Sequence, residues 1–349
     1  MQKVVQADMN VVNEVERTKW KRLGQTVLKD WRLYVLLIPM LIFLFCFKYM
    51  PIGGILSGFR YGMTGEMNIE SEWCGLRWAE IIFIKESADE FWRSFRNTFV
   101  TSMYGLIFGF PIPIILALLF SEIKNDKYRS ILQVCCYLPH FVSVVVVTQI
   151  IGIWCIGHND REAFPGGFLY KLFREWQLFS TDEAIYTNSL LASPEFFRPI
   201  YQISGIWEGA GYGSIVYFAA VLAISPTSYE AARIDGATKL QQIRYITFPG
   251  MAPTLTIMLI MRIGQILNIG YEKIILLQSY SGSDTCYETS DVVSSFVYRM
   301  AGKGSLEGES SLKIEQIGIV ADLFNSIIAM FLVLGSNAIS RRVSNTSLF

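Results

Sequence analysis

Six long apolar stretches limit how this chain can fold more than any other feature of it. They lie at about 33–54, 97–120, 131–156, 200–225, 253–278 and 316–338. Crossing the hydrocarbon core of a bilayer takes about 20 apolar residues of helix. Only 17% of the residues are charged, against roughly 25% in an ordinary soluble domain. We therefore predict an all-α membrane protein with six transmembrane helices.

The distribution of charge predicts the orientation of these helices. With the N-terminus inside, the inner segments carry 15 Lys and Arg against 8 Asp and Glu, and the outer loops carry 12 against 19. A basic cluster between Arg17 and Arg32 precedes the first span, where orientation is usually decided. We therefore expect both termini in the cytoplasm. The predicted organisation is a cytoplasmic segment (1–32), one transmembrane domain (33–343) and a cytoplasmic tail (344–349).

The sequence offers little for catalysis, for metal binding or for nucleic acid. Its six cysteines have no metal-ligand spacing, and no phosphate-binding loop or hydrolase motif is present. The basic N-terminal segment marks the inner membrane face, so no nucleic-acid partner is expected. We expect a chain that is not an enzyme and binds no cofactor itself. Cys74 and Cys286 fall in predicted outer loops, where a disulfide and two free thiols both stay open.

A polar loop at 227–250 carries the most specific pattern. Glu230, Ala231 and Ala232 are followed by Gly236, and the pattern closes with Ile246 and Pro249. We predict a first short helix at about 229–235, capped by Thr227 or Ser228, and a second at about 238–246. Gly236 is expected to take the positive φ that separates them, and Pro249 to stop the second helix. Such a pair of helices is suited to docking another protein; the alternative is an incidental cytoplasmic loop.

This spacing resembles the coupling loop of binding-protein-dependent ABC importer permeases, in which Asp235 also belongs to the motif. Further segments resemble the carbohydrate-uptake subfamily, and above all its LplB-like branch, over about residues 30–343. They are Tyr137–Ser143, Ser204–Trp207, Tyr229–Ala237, Asn268–Glu272, Asp291–Arg299 and Asn337–Arg342. The chain departs from the pattern at Phe248, where leucine is commoner.

The resemblance implies the type I importer permease (MetI-like) fold with a cytoplasmic coupling helix. It also implies a bacterial cell-membrane location and a set of partners. These are a second, homologous permease that forms a heterodimer with this chain, two ATPase subunits that hold ATP and Mg²⁺, and an extracytoplasmic solute-binding protein. The implied substrate is a carbohydrate, in particular an oligosaccharide.

Polar residues within the apolar stretches are candidates for the substrate pathway, because burying them in lipid is costly. Gln265, Asn268 and Glu272 are spaced for one helical face. With them we group Trp207, Glu208, Tyr212, Tyr217, Tyr271 and Asn325. Hydrogen bonding between helices is the alternative role for this set. We interpret Arg262 and Asp322 as structural ion-pair candidates, paired with each other or with the second permease.

Other functions stay open at this point. An ion-coupled secondary transporter needs internal repeats and an embedded ion site. No repeat is visible in the sequence, and this function would not explain the 227–250 pattern. An intramembrane enzyme needs a convergent catalytic set, which two histidines hardly supply. An importer permease for a peptide or an amino acid is the third alternative.

Overall fold

The structure is a computed structural model that describes residues 29–60, 73–85, 87–157, 166–176, 189–282, 284–303 and 311–343. Regular structure in these residues is helical, apart from two isolated bridges, Arg60 with Trp73 and Ile156 with Ser189. The predicted all-α class is confirmed. The predicted cytoplasmic N-terminal segment, except for its last four residues, and the predicted tail lie outside the described residues.

We number the α-helices in chain order. They are α1 Trp31–Leu44, α2 Arg77–Phe83, α3 Ala88–Ile107, α4 Pro111–Glu122, α5 Asp126–Tyr137, α6 Val144–Cys155, α7 Phe168–Glu175, α8 Pro194–Leu222, α9 Pro226–Ile234, α10 Lys239–Gln242, α11 Phe248–Gly264, α12 Tyr271–Ser279, α13 Tyr287–Ser290, α14 Val293–Lys303 and α15 Ser311–Val343. Short 3₁₀ or π turns extend several of them, including Met50–Phe59 beyond α1 and Ile243–Thr247 between α10 and α11.

Four helical stretches of the described chain are long and apolar enough to cross a membrane: Trp31–Phe59, Ala88–Glu122, Lys239–Gly264 and Gln316–Arg342. Two further candidates are bent pairs. The segment Asp126–Phe141 meets α6 at 90°, and α8 meets α9 at 68°. The described residues therefore hold four to six spans, and the count of six requires that each bent pair be one span. The orientation stays a prediction.

Besides the third predicted span, which bends by 90° before α6, two of the predicted spans are interrupted. The second, at 97–120, breaks between α3 and α4, where a Cβ on Gly109 would lie 2.5 Å from the carbonyl oxygen of Gly105. The fifth, at 253–278, breaks between α11 and α12, and residues 265–270 are not helical. The prediction that Gln265, Asn268 and Glu272 share a helical face is therefore wrong, because the helix ends at Gly264.

Helix α8 is the centre of the packing. Buried apolar side chains form three clusters, and α8 contributes to two of them, one with α6, α7 and α12 and one with α4 and α11. The third cluster joins α2, α3, α14 and α15. A Cβ on Gly211 of α8 would lie 1.9 Å from the carbonyl oxygen of Cys136, so glycine allows α5 to approach closely. None of the residues of α1 is buried.

A buried carboxylate ties the helices together near one end of the bundle. Asp291 is fully buried and accepts hydrogen bonds from Ser94 Oγ at 3.0 Å and Ser295 Oγ at 2.9 Å. It also forms an ion pair with Arg299. These partners lie on α3 and α14, so one carboxylate holds two helices that are far apart in sequence. A buried charge is tolerated when it is paired and hydrogen-bonded in this way.

The same network extends to α8. Asn97 Nδ2 donates to the carbonyl oxygens of Glu288 at 2.9 Å and Asp291 at 3.0 Å. Arg198 Nη2 in turn donates to Asn97 Oδ1 at 2.8 Å. Asn97 therefore links α3, α8 and the segment before α14.

Cys74 and Cys286 are both free thiols in this structure, so the disulfide that the sequence left open is absent. Cys286 is buried and accepts a hydrogen bond from Ser281 Oγ at 3.2 Å. Burial raises the pKa of the Cys286 thiol.

We predict that Asp291→Ala lowers the free energy of unfolding by roughly 2–3 kcal/mol. The variant removes the buried acceptor of Ser94, Ser295 and Arg299, while Arg299 keeps its ion pair with Glu90 at 3.2 Å. Denaturation of the purified protein in detergent measures the change. Asp89→Ala is the matched control, since Asp89 is exposed on α3 and its loss is expected to change stability little. Equal losses in the two variants would contradict the role given to Asp291.

Candidate functional site

A cavity of about 610 Å³ lies between α3, α4, α8, α11 and the break after α11. Its wall includes Gly109 and Phe110 from the first interrupted span and residues 265, 266 and 268–270 from the other. Irregular backbone at membrane depth is tolerated where it lines a water-filled cavity. Both interruptions therefore fall where the fold can accommodate them.

The cavity brings together five of the nine predicted pathway residues: Glu208, Tyr212, Tyr217, Gln265 and Asn268. The other four, Trp207, Tyr271, Glu272 and Asn325, are not in its wall. Trp207 is 57% exposed, on a side of α8 that faces away from the cavity. The ring of Tyr271 instead stacks on Tyr298, with centroids 5.2 Å apart.

An ion pair joins two walls of the cavity. Lys273 Nζ lies 2.9 Å from Glu208 Oε2, and both side chains are largely buried, at 11% and 21% exposed. The Lys273 ammonium also lies 5.7 Å from the ring centroid of Tyr201. The sequence pattern does not predict this ion pair, because 65 positions separate Glu208 from Lys273.

Several polar and aromatic wall residues were missed. The ring of His140 stacks on Tyr212 with centroids 4.1 Å apart. Gln202 Nε2 donates to the carbonyl oxygen of Thr101 at 2.6 Å. The signal was present for Gln202, since it recurs with Gly205, Glu208 and Tyr212 at the three- and four-residue spacing of one helical face.

Arg262 and Asp322 are not paired with each other among the described ion pairs. Arg262 lies in the cavity wall, whereas Asp322 lies on α15 outside it, and both are exposed. Pairing of either residue with a second permease stays a prediction. In the described residues no group of His, Cys, Asp and Glu side chains is placed to hold a metal ion.

The segment at 227–250 holds the short first helix that was predicted, α9, which begins earlier than expected, and the start of a second helix. Ser225 is the N-cap of α9 in place of Thr227 or Ser228, because Pro226 occupies the first helical position. Gly236 has φ +78°, the positive value predicted for it. A capping box between Thr238 and Gln241 then starts α10.

Pro249 does not stop the second helix, contrary to the prediction. The helix runs without a break from Lys239 to Gly264, with Pro249 in the first turn of α11. The π turn Ile243–Thr247 comes immediately before α11. This wider turn relieves the clash that a proline ring makes with the preceding turn of an α-helix.

The motif residues lie on or near the protein surface. Glu230, Ala231, Asp235, Gly236 and Pro249 are exposed, and Ala232 and Ile246 are half-buried. Three large apolar side chains of the same element are also exposed, Ile234 at 87%, Leu240 at 77% and Tyr245 at 69%. Exposed apolar side chains clustered among charges are typical of a surface that binds another protein.

The element is braced internally and at both ends. Tyr229 Oη and Thr247 Oγ1 are 3.0 Å apart, and Lys239 Nζ lies 2.5 Å from Glu122 Oε2 on α4. One end follows α8 after a bend, and the other is continuous with α11. Because α8 and α11 both line the cavity, the element is joined to the cavity wall at each of its ends.

Apolar helices long enough to cross a membrane, a cavity among them and an exposed two-helix element at the ends of two of them are compatible with a transporter permease. Residues 109–282 match the family described as binding-protein-dependent transport system inner membrane component. The chain belongs to this family.

Relatives support the assignment over nearly the whole chain. Protein LplB of Bacillus subtilis is 32% identical over 92% of this chain and 92% of its own length. The polygalacturonan/rhamnogalacturonan transport system permease protein YteP of the same organism is 29% identical over 99% and 100%. A chain of a bacterial alginate ABC transporter, solved in complex with an alginate pentasaccharide-bound periplasmic protein, is 35% identical over 94% and 100%, with a TM-score of 0.76.

We predict that Lys273→Gln destabilises the fold by roughly 2 kcal/mol, because it leaves the Glu208 carboxylate largely buried without its cation. The double variant Glu208→Gln with Lys273→Gln is expected to lose less than the sum of the two single variants. Unfolding in detergent of the wild type, both single variants and the double variant measures the coupling. If the losses of unfolding free energy in the two single variants add up to the loss in the double variant, Glu208 and Lys273 do not interact.

Proposed function

We propose that this chain is one of two permease halves of an ATP-driven importer of oligosaccharides. It lies in a bacterial cell membrane with six spans and both termini in the cytoplasm. It provides half of the translocation pathway and does not hydrolyse ATP. A second homologous permease supplies the other half, and two ATPase subunits hold ATP and Mg²⁺. An extracytoplasmic binding protein delivers the sugar.

The observation that carries this proposal is the connection between the 227–250 element and the cavity. The exposed surface around Glu230 and Ile234 is the docking site for an ATPase subunit. Movement of that subunit is passed to α8 and α11, whose side chains make up much of the cavity wall. ATP-driven closure of the ATPases thereby opens the pathway to the outer side.

The composition of the cavity supports a saccharide as cargo. Tyr201 and Tyr212 supply aromatic rings, and Gln265 and Asn268 supply amides. Sugar rings pack on aromatic faces, and their hydroxyl groups take hydrogen bonds from amides. The names of YteP and of the alginate transporter, both relatives over nearly the whole chain, are in line with this cargo. Lipid surrounds the assembly, and no nucleic acid takes part.

We predict that Glu230→Lys and Gly236→Pro abolish sugar uptake while the permease stays in the membrane. Proline fixes φ near −65°, which is incompatible with the +78° of Gly236. It also removes the N–H that donates to the carbonyl oxygen of Arg233. In Gly236→Ala the added Cβ has open space, so the strain comes from the positive φ alone. We therefore expect a partial loss of sugar uptake. Uptake and ATPase activity of the complete transporter in liposomes provide the measurement.

Arg342→Glu is the control for Glu230→Lys, since it reverses an exposed charge at the end of α15. It is expected to leave uptake near the wild-type level. Normal uptake by both Glu230→Lys and Gly236→Pro would rule out the coupling role. Uptake that continues without ATP would favour an ion-coupled transporter.

A further inference from the structure

The charges in the cavity wall do not cancel. Three wall residues are acidic or strongly basic: Glu208, Lys273 and Arg262. Glu208 and Lys273 form an ion pair at 2.9 Å. Within the described part of the chain, no ion pair or side-chain hydrogen bond engages the guanidinium of Arg262. The wall therefore holds one basic side chain that no acidic side chain of the described residues compensates.

Arg262 is in a position to meet a solute. It lies in the last turn of α11, directly before the non-helical segment 265–270, and is exposed. Gln265 and Asn268 in that segment and Tyr217 on α8 line the same cavity. The guanidinium is thus grouped with two amides, which can hold the hydroxyl groups of one sugar residue.

A solute that fills the cavity displaces water from this guanidinium. An arginine that loses its water at membrane depth needs a compensating partner. A neutral sugar offers only hydroxyl oxygens, whereas a carboxylate accepts two parallel hydrogen bonds from the guanidinium fork. The uncompensated charge therefore favours a solute that brings a negative charge with it.

We propose that the cavity takes an anionic saccharide, an oligosaccharide of uronate units, and that Arg262 binds one of its carboxylates. Arg262 is then a specificity-determining residue of the pathway rather than a structural ion-pair partner. The inference rests on the proposed function and deepens it, because it names the class of sugar.

The test compares two probes that share one sugar backbone, trigalacturonate and its uncharged methyl ester. The complete transporter, with both permeases, its ATPases and its binding protein, is reconstituted in liposomes with Arg262→Gln or Arg262→Lys. Arg342→Gln, which removes an exposed cation outside the cavity, is the control. Each variant is compared with the wild type on the same probe, so the selectivity of the binding protein cancels.

We expect Arg262→Gln to lower trigalacturonate uptake about tenfold or more at low concentration. Uptake of the methyl ester is expected to change less than twofold. Arg262→Lys keeps the charge but not the two-pronged donor, so an intermediate loss is expected for the acidic probe. Arg342→Gln is expected to match the wild type on both probes.

Two results would overturn the inference. Equal losses on the acidic and the neutral probe would show that Arg262 does not recognise charge. Loss of the second permease from the purified Arg262→Gln complex would assign Arg262 to the interface between the permeases. A wild-type complex that transports neither probe but moves a neutral oligosaccharide with ATP would overturn the inference alone. One that moves only solutes other than sugars would overturn the proposed saccharide function, and the inference with it.

Discussion

Backbone amide and carbonyl groups that leave a helix inside a membrane must find partners, and this requirement shapes the whole molecule. One apolar stretch bends by 90° before α6, and two others are interrupted, near Gly109 and at residues 265–270. Both interruptions line the same cavity, where water and solute can satisfy the exposed backbone groups. Without the cavity these breaks would be costly, and without the breaks α8 and α11 would leave less polar surface for a solute.

Helices α8 and α11 connect the cavity to the exposed 227–250 element. Helix α8 takes part in two of the three apolar clusters and ends at the bend that leads into α9. Helix α11 is continuous with α10. At the N-terminal end of α8, the network around Asp291 and Asn97 holds α3, α8 and α14 together. Helix α8 is therefore joined to the exposed element at one end and held by this network at the other.

The parts of this structure that sequence predicts well are those fixed by local chemistry. Long apolar runs predict helices, and Gly236 takes its positive φ because only glycine does so without strain. The parts it predicts poorly depend on distant residues. The helix break at 265–270 lies beside a cavity that distant parts of the chain help to form. Pro249 follows a π turn that no local sequence pattern predicts. The pairing of Lys273 with Glu208 is equally hard to predict from sequence, because the two residues lie on different helices.

The central claim is that the surface around Glu230 docks an ATPase that drives this permease. The most direct measurement is an affinity pull-down of the tagged chain in mild detergent, followed by mass spectrometry of the proteins that come with it. The account predicts recovery of a second permease and an ATPase subunit. A chain that purifies alone, and that moves solute in liposomes without ATP, would contradict it.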